Sequence, residues 1–436
     1  MPTATEERLD QERRAWFTNI KKAEKLDRAY ALRTDERLTE DERAAIDRFW
    51  EPYRQAYPEI DYRSFESFKN RLGRFDARHI PSGVQSALQT YFVQDGYDFA
   101  FRNKAMLSYL YPDAAHPRPL AMQMNGFLFD GEYALTDRAG AVAAICGYLK
   151  ENPQRRVAIK PGVGLGPHLS TVLSAESGEA AVGAAIDRLG ANAFIAQEFV
   201  EQSGFAARLN PKHVNTLCVT SFFFRGEYHL LAALLRIGDE GQTEELASGH
   251  TLLGVDIETG FCNDWALTRD LRRVSRLGGL DLTAEKLQVP NFEAIKETVR
   301  RMHEKLPYAR LISFEMVLGK NDEPVLLECN FKGLVREHEA VTGPIYGALT
   351  KRVLDYYLIQ NFKLGLSDGS FVYKEDQGRL IAWRYIGTDG RAVVADSLNG
   401  KSVAMIDPEA FQGQTPNRID APLRVLKESK AALGLD

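Results

Sequence analysis

The stretch LISFEMVLGKNDEPVLLECNFKG, Leu311 to Gly333, decides how the chain is read. An apolar run over Leu311–Leu318 meets a turn at Gly319–Glu323 rich in Gly, Asn and Asp, and a second apolar run from Pro324 to Leu327 ends in Glu328-Cys329-Asn330. That pattern predicts a β-hairpin. Side chains alternate along a strand, so Glu328 and Asn330 share a face, and a twisted antiparallel partner is expected to bring Glu315 beside them. Two carboxylates and an amide oxygen suit Mg²⁺, which takes a few protein oxygens and completes its shell with water and substrate phosphates. The plain alternative is an edge strand carrying solvated acids. Against it, Glu328 closes the apolar run Val325-Leu326-Leu327, and a carboxylate at the mouth of a buried strand needs a partner.

Upstream of the hairpin the chain alternates between helical and strand patterns. Thr136-Asp137-Arg138 opens a helix running to Leu149, with Thr136 or Asp137 as its cap. Arg156–Lys160 is a short β run that ends in a lysine and is followed by PGVGLGPHLSTV, with Gly162, Gly164 and Gly166. Glycines let backbone amides approach phosphate oxygens, and Lys160 adds a positive charge, so strand, glycine loop and strand form a phosphate cradle. A glycine-rich hairpin without a ligand is the alternative. Neither the Walker pattern GxxxxGK[ST] nor GxGxxG is present. After a helix at Gly178–Leu189, the strand Ala193–Val200 turns from apolar to polar and offers backbone groups to a flat heterocycle, or is simply a buried strand end. Thr216–Phe224 and Glu227–Ile237 form a second hairpin around Arg225-Gly226. Arg236 interrupts its apolar second strand, and a charge there is costly unless it meets an anion, such as phosphate.

The flanks carry less chemistry. Charged segments of helical period run from Thr5 to about Tyr57, with Trp16, Ile20 and Leu26 on one stripe and Ile46, Phe49 and Trp50 on another, as expected of a helical cap. A linker or elbow is expected at Arg74–Pro81, a helix from Ser82, and a further helical stretch from Phe101 to Pro112. Gly249–Asp264 is loop-rich with a strand at Leu252–Ile257, Pro290–Leu306 is helical, and so is Gly343–Gln360. Strands are expected at Phe371–Tyr373, Leu380–Tyr385 and Ala392–Ala395, with no assigned chemistry.

Composition sets the class. The chain has 436 residues, 44% hydrophobic and 26% charged, enough for a full core and about two or three domains. A formal net charge of -5 and the absence of any long Lys/Arg block give no reason to expect nucleic acid as a partner. Cys146, Cys218, Cys262 and Cys329 are far apart and form no CxxC or Cys/His ligand pattern, so a reducing cytoplasm is expected. No apolar run reaches about 18 residues, and the N-terminus has no recognisable export signal, so neither a membrane nor secretion is expected.

Taken together, Lys104, Lys160 with its glycine loop, the QEFV segment, Arg236 and the Glu315…Glu328-x-Asn330 hairpin resemble the ATP-grasp superfamily. Within it the chain looks most like the sugar-transfer-associated branch, on the strength of FDARHIP, NGFLFDGEYALT, LNPKHVNT, ALLRIG and LLECN, over roughly residues 38–358. The resemblance implies an α+β, ATP-grasp fold in which two α+β lobes clasp ATP. The boundaries expected are an N-terminal helical region at 1–100, a first lobe at 101–200, a second lobe with the metal site at 201–362 and a small β-rich extension at 363–436. It also implies that Lys104 and Lys160 touch the phosphates, that Gly162, Gly164 and Gly166 close over them, and that Gln197, Glu198 and Val200 hold the adenine. Glu201 or Gln202 reaches the ribose, Glu315, Glu328 and Asn330 hold Mg²⁺, and Arg236 faces the γ-phosphate or an acyl phosphate. Lys160 and Arg236 are the catalytic candidates.

The chain departs from that pattern in four places. Cys218 stands where an arginine is expected in NTxR, Glu244–His250 replaces an Asp-Asn and Gly-Gly pattern, Glu315 stands for an Asp, and Pro167-His168 interrupts the glycine run. The function expected is an ATP-dependent carboxylate–amine ligase that uses ATP and Mg²⁺ and small-molecule acid and amine substrates, releasing ADP and phosphate; an oligomer is left open. A phosphotransferase acting on a hydroxyl and a noncatalytic nucleotide-binding protein are the alternatives.

Overall fold

A computed structural model of the chain describes residues 37–54, 57, 59–88, 92, 101–163, 169–224, 226–238, 250–307, 309–331 and 333–355, with four strands between 371 and 406. The helical segment expected at 1–36, which includes Trp16, Ile20 and Leu26, lies outside the described residues, as do Gly164, Gly166, Pro167 and His168 of the glycine loop and most of the Glu244–His250 segment. The chain forms two compact units, 1–91 together with 346–436, and 92–345.

The first unit is helical in its N-terminal part. Helix α1 (Glu40–Trp50) starts at Thr39, whose side chain accepts from Glu42 N–H while the Glu42 carboxylate accepts from Thr39 N–H. Helix α2 (Tyr62–Leu72) starts at Asp61 and stops at Gly73, which takes φ 68°, a value a side chain would resist. Trp50 packs edge-on to Tyr53, Tyr57 and Phe65, each of which is almost wholly buried. The expected linker at 74–81 is part of this core instead. His79 stacks on Phe68 at 4.0 Å and shares a hydrogen bond with Ser64, Ile80 is buried, and Trp50 Nε1 donates to Ala77 O. Broken helical periodicity marks an irregular segment, and here the irregular segment carries buried side chains. Helix α3 (Ser82–Leu88) follows, and its Gln85 donates to Tyr346 OH at 2.9 Å.

In 92–345 a short helix α4 (Leu107–Leu110) precedes a six-stranded antiparallel sheet in the order β3-β2-β1-β6-β4-β5. Its strands are β1 (Pro119–Met124), β2 (Phe127–Asp130), β3 (Leu135–Thr136), β4 (Val157–Pro161), β5 (Thr171–Leu173) and β6 (Phe194–Glu198). Helices α5 (Arg138–Glu151), capped by Asp137, and α6 (Gly178–Leu189) cover one face, burying Val142, Ile145, Val182 and Ile186 against Ala121, Val157, Ile159 and Phe194. Each such side chain contributes about 1.5–3 kcal/mol. Because faces alternate, Met122, Ile195 and Lys160, which are ladder partners, look the other way.

A short helix α7 (Gly204–Leu209) leads into a seven-stranded sheet in the order β11-β10-β9-β8-β7-β14-β15. It comprises β7 (Thr216–Phe224), β8 (Glu227–Gly238), β9 (His250–Val255), β10 (Ala266–Leu267), β11 (Arg273–Val274), β14 (Leu311–Leu318) and β15 (Pro324–Asn330), with a separate ribbon of β12 (Arg276–Leu277) and β13 (Leu280–Asp281). Helix α8 (Phe292–Glu304) buries Ile295, Val299 and Met302 against Leu217, Leu235, Phe314 and Met316. Helix α9 (Val335–Thr342) lies on the opposite face, where Ala340 and Val341 meet Cys218 and Leu234.

The described architecture is mixed α and β with antiparallel sheets, as expected. Two helical expectations change. Sequence periodicity does not reveal α9, and the helix expected from Gly343 does not start there: Gly343, at φ 107°, follows the end of α9, and the chain resumes as a 3-10 turn at Gly347–Leu349 and a helix α10 at Thr350–Leu354. Beyond it, β16 (Phe371–Asp376), β17 (Arg379–Tyr385), β18 (Ala392–Asp396) and β19 (Lys401–Ile406) form an antiparallel sheet, one strand more than expected. No helix among the described residues is long and apolar enough to cross a membrane.

Candidate nucleotide and metal site

The β14–β15 hairpin places Glu315 opposite Glu328 and Ser313 opposite Asn330. Strict alternation would have put Leu327 on the core side. A bulge after Glu315 pairs Met316 with Leu326, so Leu326 and Cys329 both enter the core while Glu328 and Asn330 share the face of Glu315. Glu315 is also the ladder partner of Cys218 on β7, whose Thr216 pairs with Arg236 on β8. One face of three adjacent hairpin strands and β8 thus collects Arg236, Thr216, Glu315, Glu328 and Asn330.

β4 and the 3-10 turn docked on its end supply the lysines. Asn103 caps the 3-10 turn Lys104–Met106, and Lys104 N–H donates to Gly162 O at 2.8 Å, docking the turn on the end of β4. A Cβ at Gly162 would lie 2.5 Å from Asn103 Oδ1, which explains the glycine by packing. Its amide donates to Ala193 O at 2.7 Å, so the expectation that the Gly162 amide is open to phosphate is corrected. Lys104 Nζ reaches Glu328 Oε2 at 3.0 Å. Lys160 makes no ion pair among the described residues. Burial first, then repulsion from Lys104, lowers its pKa to about 8 against the pull of Glu328 and Glu315.

Arg236 meets a carboxylate. Its Nη1 donates to both oxygens of Glu315, at 3.2 and 3.1 Å, while Thr216 Oγ1 donates to Glu315 Oε1 at 2.9 Å. Burial works against the guanidinium charge, but Glu315 and its neighbours outweigh it and hold the Arg236 pKa above the ordinary value. Glu337, on α9, brings a second carboxylate 3.7 Å from Arg236 Nε. Burial raises the Glu337 pKa; Arg236 opposes the rise and Glu315 adds to it. Sequence reading missed Glu337 because it missed α9, although the acid-rich REHE after Gly333 was a signal. Cys218, at the position where the resembled pattern has arginine, is fully buried beside Glu315, and burial keeps its thiol protonated.

In the first sheet β6 lies between β1 and β4. Glu198 N–H donates to Arg118 O and Phe199 N–H to Arg156 O. The Glu198 carboxylate turns toward Tyr148 on α5 and Arg155, 3.4 Å away, so both its side chain and its N–H are already engaged. Gln197 is buried and Val200 partly so, while the Glu201 side chain is 56% exposed. Gln202 is not placed for a ribose. Its amide nitrogen donates to Asn210 O and His213 O, and its oxygen accepts from both nitrogens of Asn215. Asn215 Nδ2 donates further to Ala206 O and Asn210 O, and Asn210 Nδ2 to Gly238 O. These amides fill the hydrogen-bonding capacity of Gln202 and fasten the segment after β6 to β7 and β8, which is the physical content of LNPKHVNT.

The donor set fits Mg²⁺. No group of three or more His, Cys, Asp or Glu suited to a metal occurs among the described residues, but two opposed carboxylates with an amide oxygen match a hard ion that keeps several waters. A third strong ligand would be needed for zinc.

Residues 168–343 match the family described as sugar-transfer associated ATP-grasp; Lys104 and Lys160 precede that stretch. No curated protein matches the sequence. Among solved structures, D-alanyl-alanine synthetase A from Vibrio cholerae is 13% identical over 58% of this chain and 59% of that one, at a TM-score of 0.34. The ATP-grasp ligase PsnB with its minimal precursor is 16% identical over 61% and 63%, at 0.35, and the VanG D-Ala:D-Ser ligase from Enterococcus faecalis is 12% identical over 63% and 62%, at 0.35. The chain spans less than two thirds of the length of each of these three. Over residues 168–343, which carry β6, both long hairpins and α9, the chain is similar to the sugar-transfer associated ATP-grasp family.

Proposed function

We propose that the protein is an ATP-dependent carboxylate–amine ligase working through an acyl phosphate, in the cytoplasm, on small-molecule acids and amines. The observation that carries the reading is the convergence of Lys104, Lys160 and Arg236 on the face that holds Glu315, Glu328 and Asn330. Lys104 and Lys160 bind the phosphates of ATP, with the loop from Gly162 through Gly164 to Gly166 beside them. Backbone groups of Gln197, Glu198 and Val200 take the adenine, and Glu201 takes the ribose. Glu315, Glu328 and Asn330 hold Mg²⁺, which when bound neutralises charge on the phosphate oxygens. Arg236 stabilises the charge that develops as an acid oxygen attacks the γ-phosphorus and ADP leaves. The amine then attacks the acyl carbon, phosphate departs, and a proton is released. Positioning two substrates beside these fixed charges supplies the catalysis, and no protein nucleophile is used.

Hydroxylamine tests the reading. Incubated with ATP, Mg²⁺ and a panel of amino, hydroxy and uronic acids, the protein should form ADP and a hydroxamate with at least one acid, in the absence of any other amine. AMP and pyrophosphate would overturn the mechanism. ADP with a phosphorylated alcohol and no hydroxamate would make the protein a phosphotransferase.

A further inference from the structure

A buried arginine needs a counter-ion at every stage of a reaction, and Glu315 cannot serve Arg236 and a metal ion equally. The Arg236 side chain is 19% exposed and that of Glu315 13%. Two atoms beside this pair are buried without a hydrogen bond: Arg236 Nε and Glu337 Oε2, which face each other at 3.7 Å. A charge-assisted hydrogen bond between them requires closing by about 0.8 Å, to the usual ~2.9 Å. The helix that carries Glu337 is firmly placed. Its approach is fixed by Leu334 N–H donating to Ser313 Oγ at 2.8 Å, its middle by the hydrogen bond between His338 Nε2 and Thr220 Oγ1 at 2.8 Å, and its end by Asn263 Nδ2 donating to Val341 O at 2.7 Å. With the backbone held, only the two side chains have to turn.

We infer that Glu337 is a positioning residue that takes over Arg236 when Glu315 turns to the metal, so that the guanidinium passes from one carboxylate to the other without being stranded. The inference rests on the metal role proposed for Glu315. Lys104, which pairs with Glu328, has no second acid of this kind among the described residues, so the relay is particular to Arg236. Burial disfavours an ionised Glu337, Arg236 favours it and the charge of Glu315 opposes it, so withdrawing the charge of Glu315 strengthens the hold of Glu337 on Arg236.

Glu315→Gln imitates the loss of that charge without metal or nucleotide. In ¹⁵N-resolved spectra, with the Arg236 Nε–H signal assigned by its disappearance in Arg236→Lys, this variant should move the signal downfield and slow its solvent exchange about tenfold. Glu315→Gln/Glu337→Gln should return it to the unbonded position, and Mg²⁺ with ADP should produce the Glu315→Gln signal in the unaltered protein. An Arg236 Nε–H signal unmoved by Glu315→Gln would overturn the inference, whatever the role of Glu315. Mg²⁺ and ADP that bind yet leave the signal in place would overturn it as well, whereas failure of both to bind would strike the proposed function instead.

Discussion

Glu328→Gln is expected to lower magnesium-dependent ATP turnover about a thousandfold while leaving the fold intact. The substitution keeps the shape of the side chain and removes one of two metal charges. Loss of that charge forfeits several kcal/mol of transition-state stabilisation, and each ~1.4 kcal/mol is tenfold in rate. The fold tolerates it because Glu328 is 31% exposed and its partner among the described residues, Lys104, is reached by a single contact at 3.0 Å. Lys104 is 15% exposed, and a glutamine at 328 still offers it a carbonyl oxygen, so the lysine keeps a hydrogen-bond acceptor. ADP release by the purified variant, alongside its urea unfolding curve, separates the two effects. Turnover within threefold of the unaltered protein would remove Glu328 from the metal site.

Arg236→Met should act on stability as strongly as on turnover. It leaves Glu315 and Glu337 together on a buried face, with Thr216 as the hydroxyl donor to Glu315. Removing one partner of such a pair costs about 3–5 kcal/mol, because the remaining charge stays desolvated. Arg236→Met/Glu315→Gln should recover part of that loss, since it withdraws one of the stranded charges, while turnover stays abolished. Urea unfolding that shows less than about 1 kcal/mol between Arg236→Met and the unaltered protein would mean that water reaches the pair freely, and would contradict the burial on which the relay to Glu337 depends.

What the sequence disclosed and what it hid follow from the range of the forces involved. The hairpins at 216–238 and 311–330 were legible because alternation and turn chemistry are local. So was the need of Arg236 for an anion, and the anion it meets in the structure is the carboxylate of Glu315. The bulge at Leu327 was not legible, since Val325-Leu326-Leu327 is equally apolar at each step and only packing against the core chooses which leucine turns inward. Gln202 and Glu201 look alike as ribose ligands in sequence. They differ only because Asn210, His213 and Asn215, several residues away, saturate the amide of Gln202. Helix α9 is eight residues long and places charged Arg336 and Glu337 next to buried His338 and Glu339, so its period is masked by the site it serves.

The most direct measurement is titration calorimetry of ADP into the purified protein with and without Mg²⁺. Lys104 and Arg236 are neutralised by Glu328 and Glu315 at the outset, so nucleotide and metal must exchange these partners together. The account predicts ADP binding that strengthens at least tenfold when Mg²⁺ is present, and that loses this dependence in Glu328→Gln. No heat of ADP binding in either condition, or binding indifferent to Mg²⁺ in the unaltered protein, would contradict it.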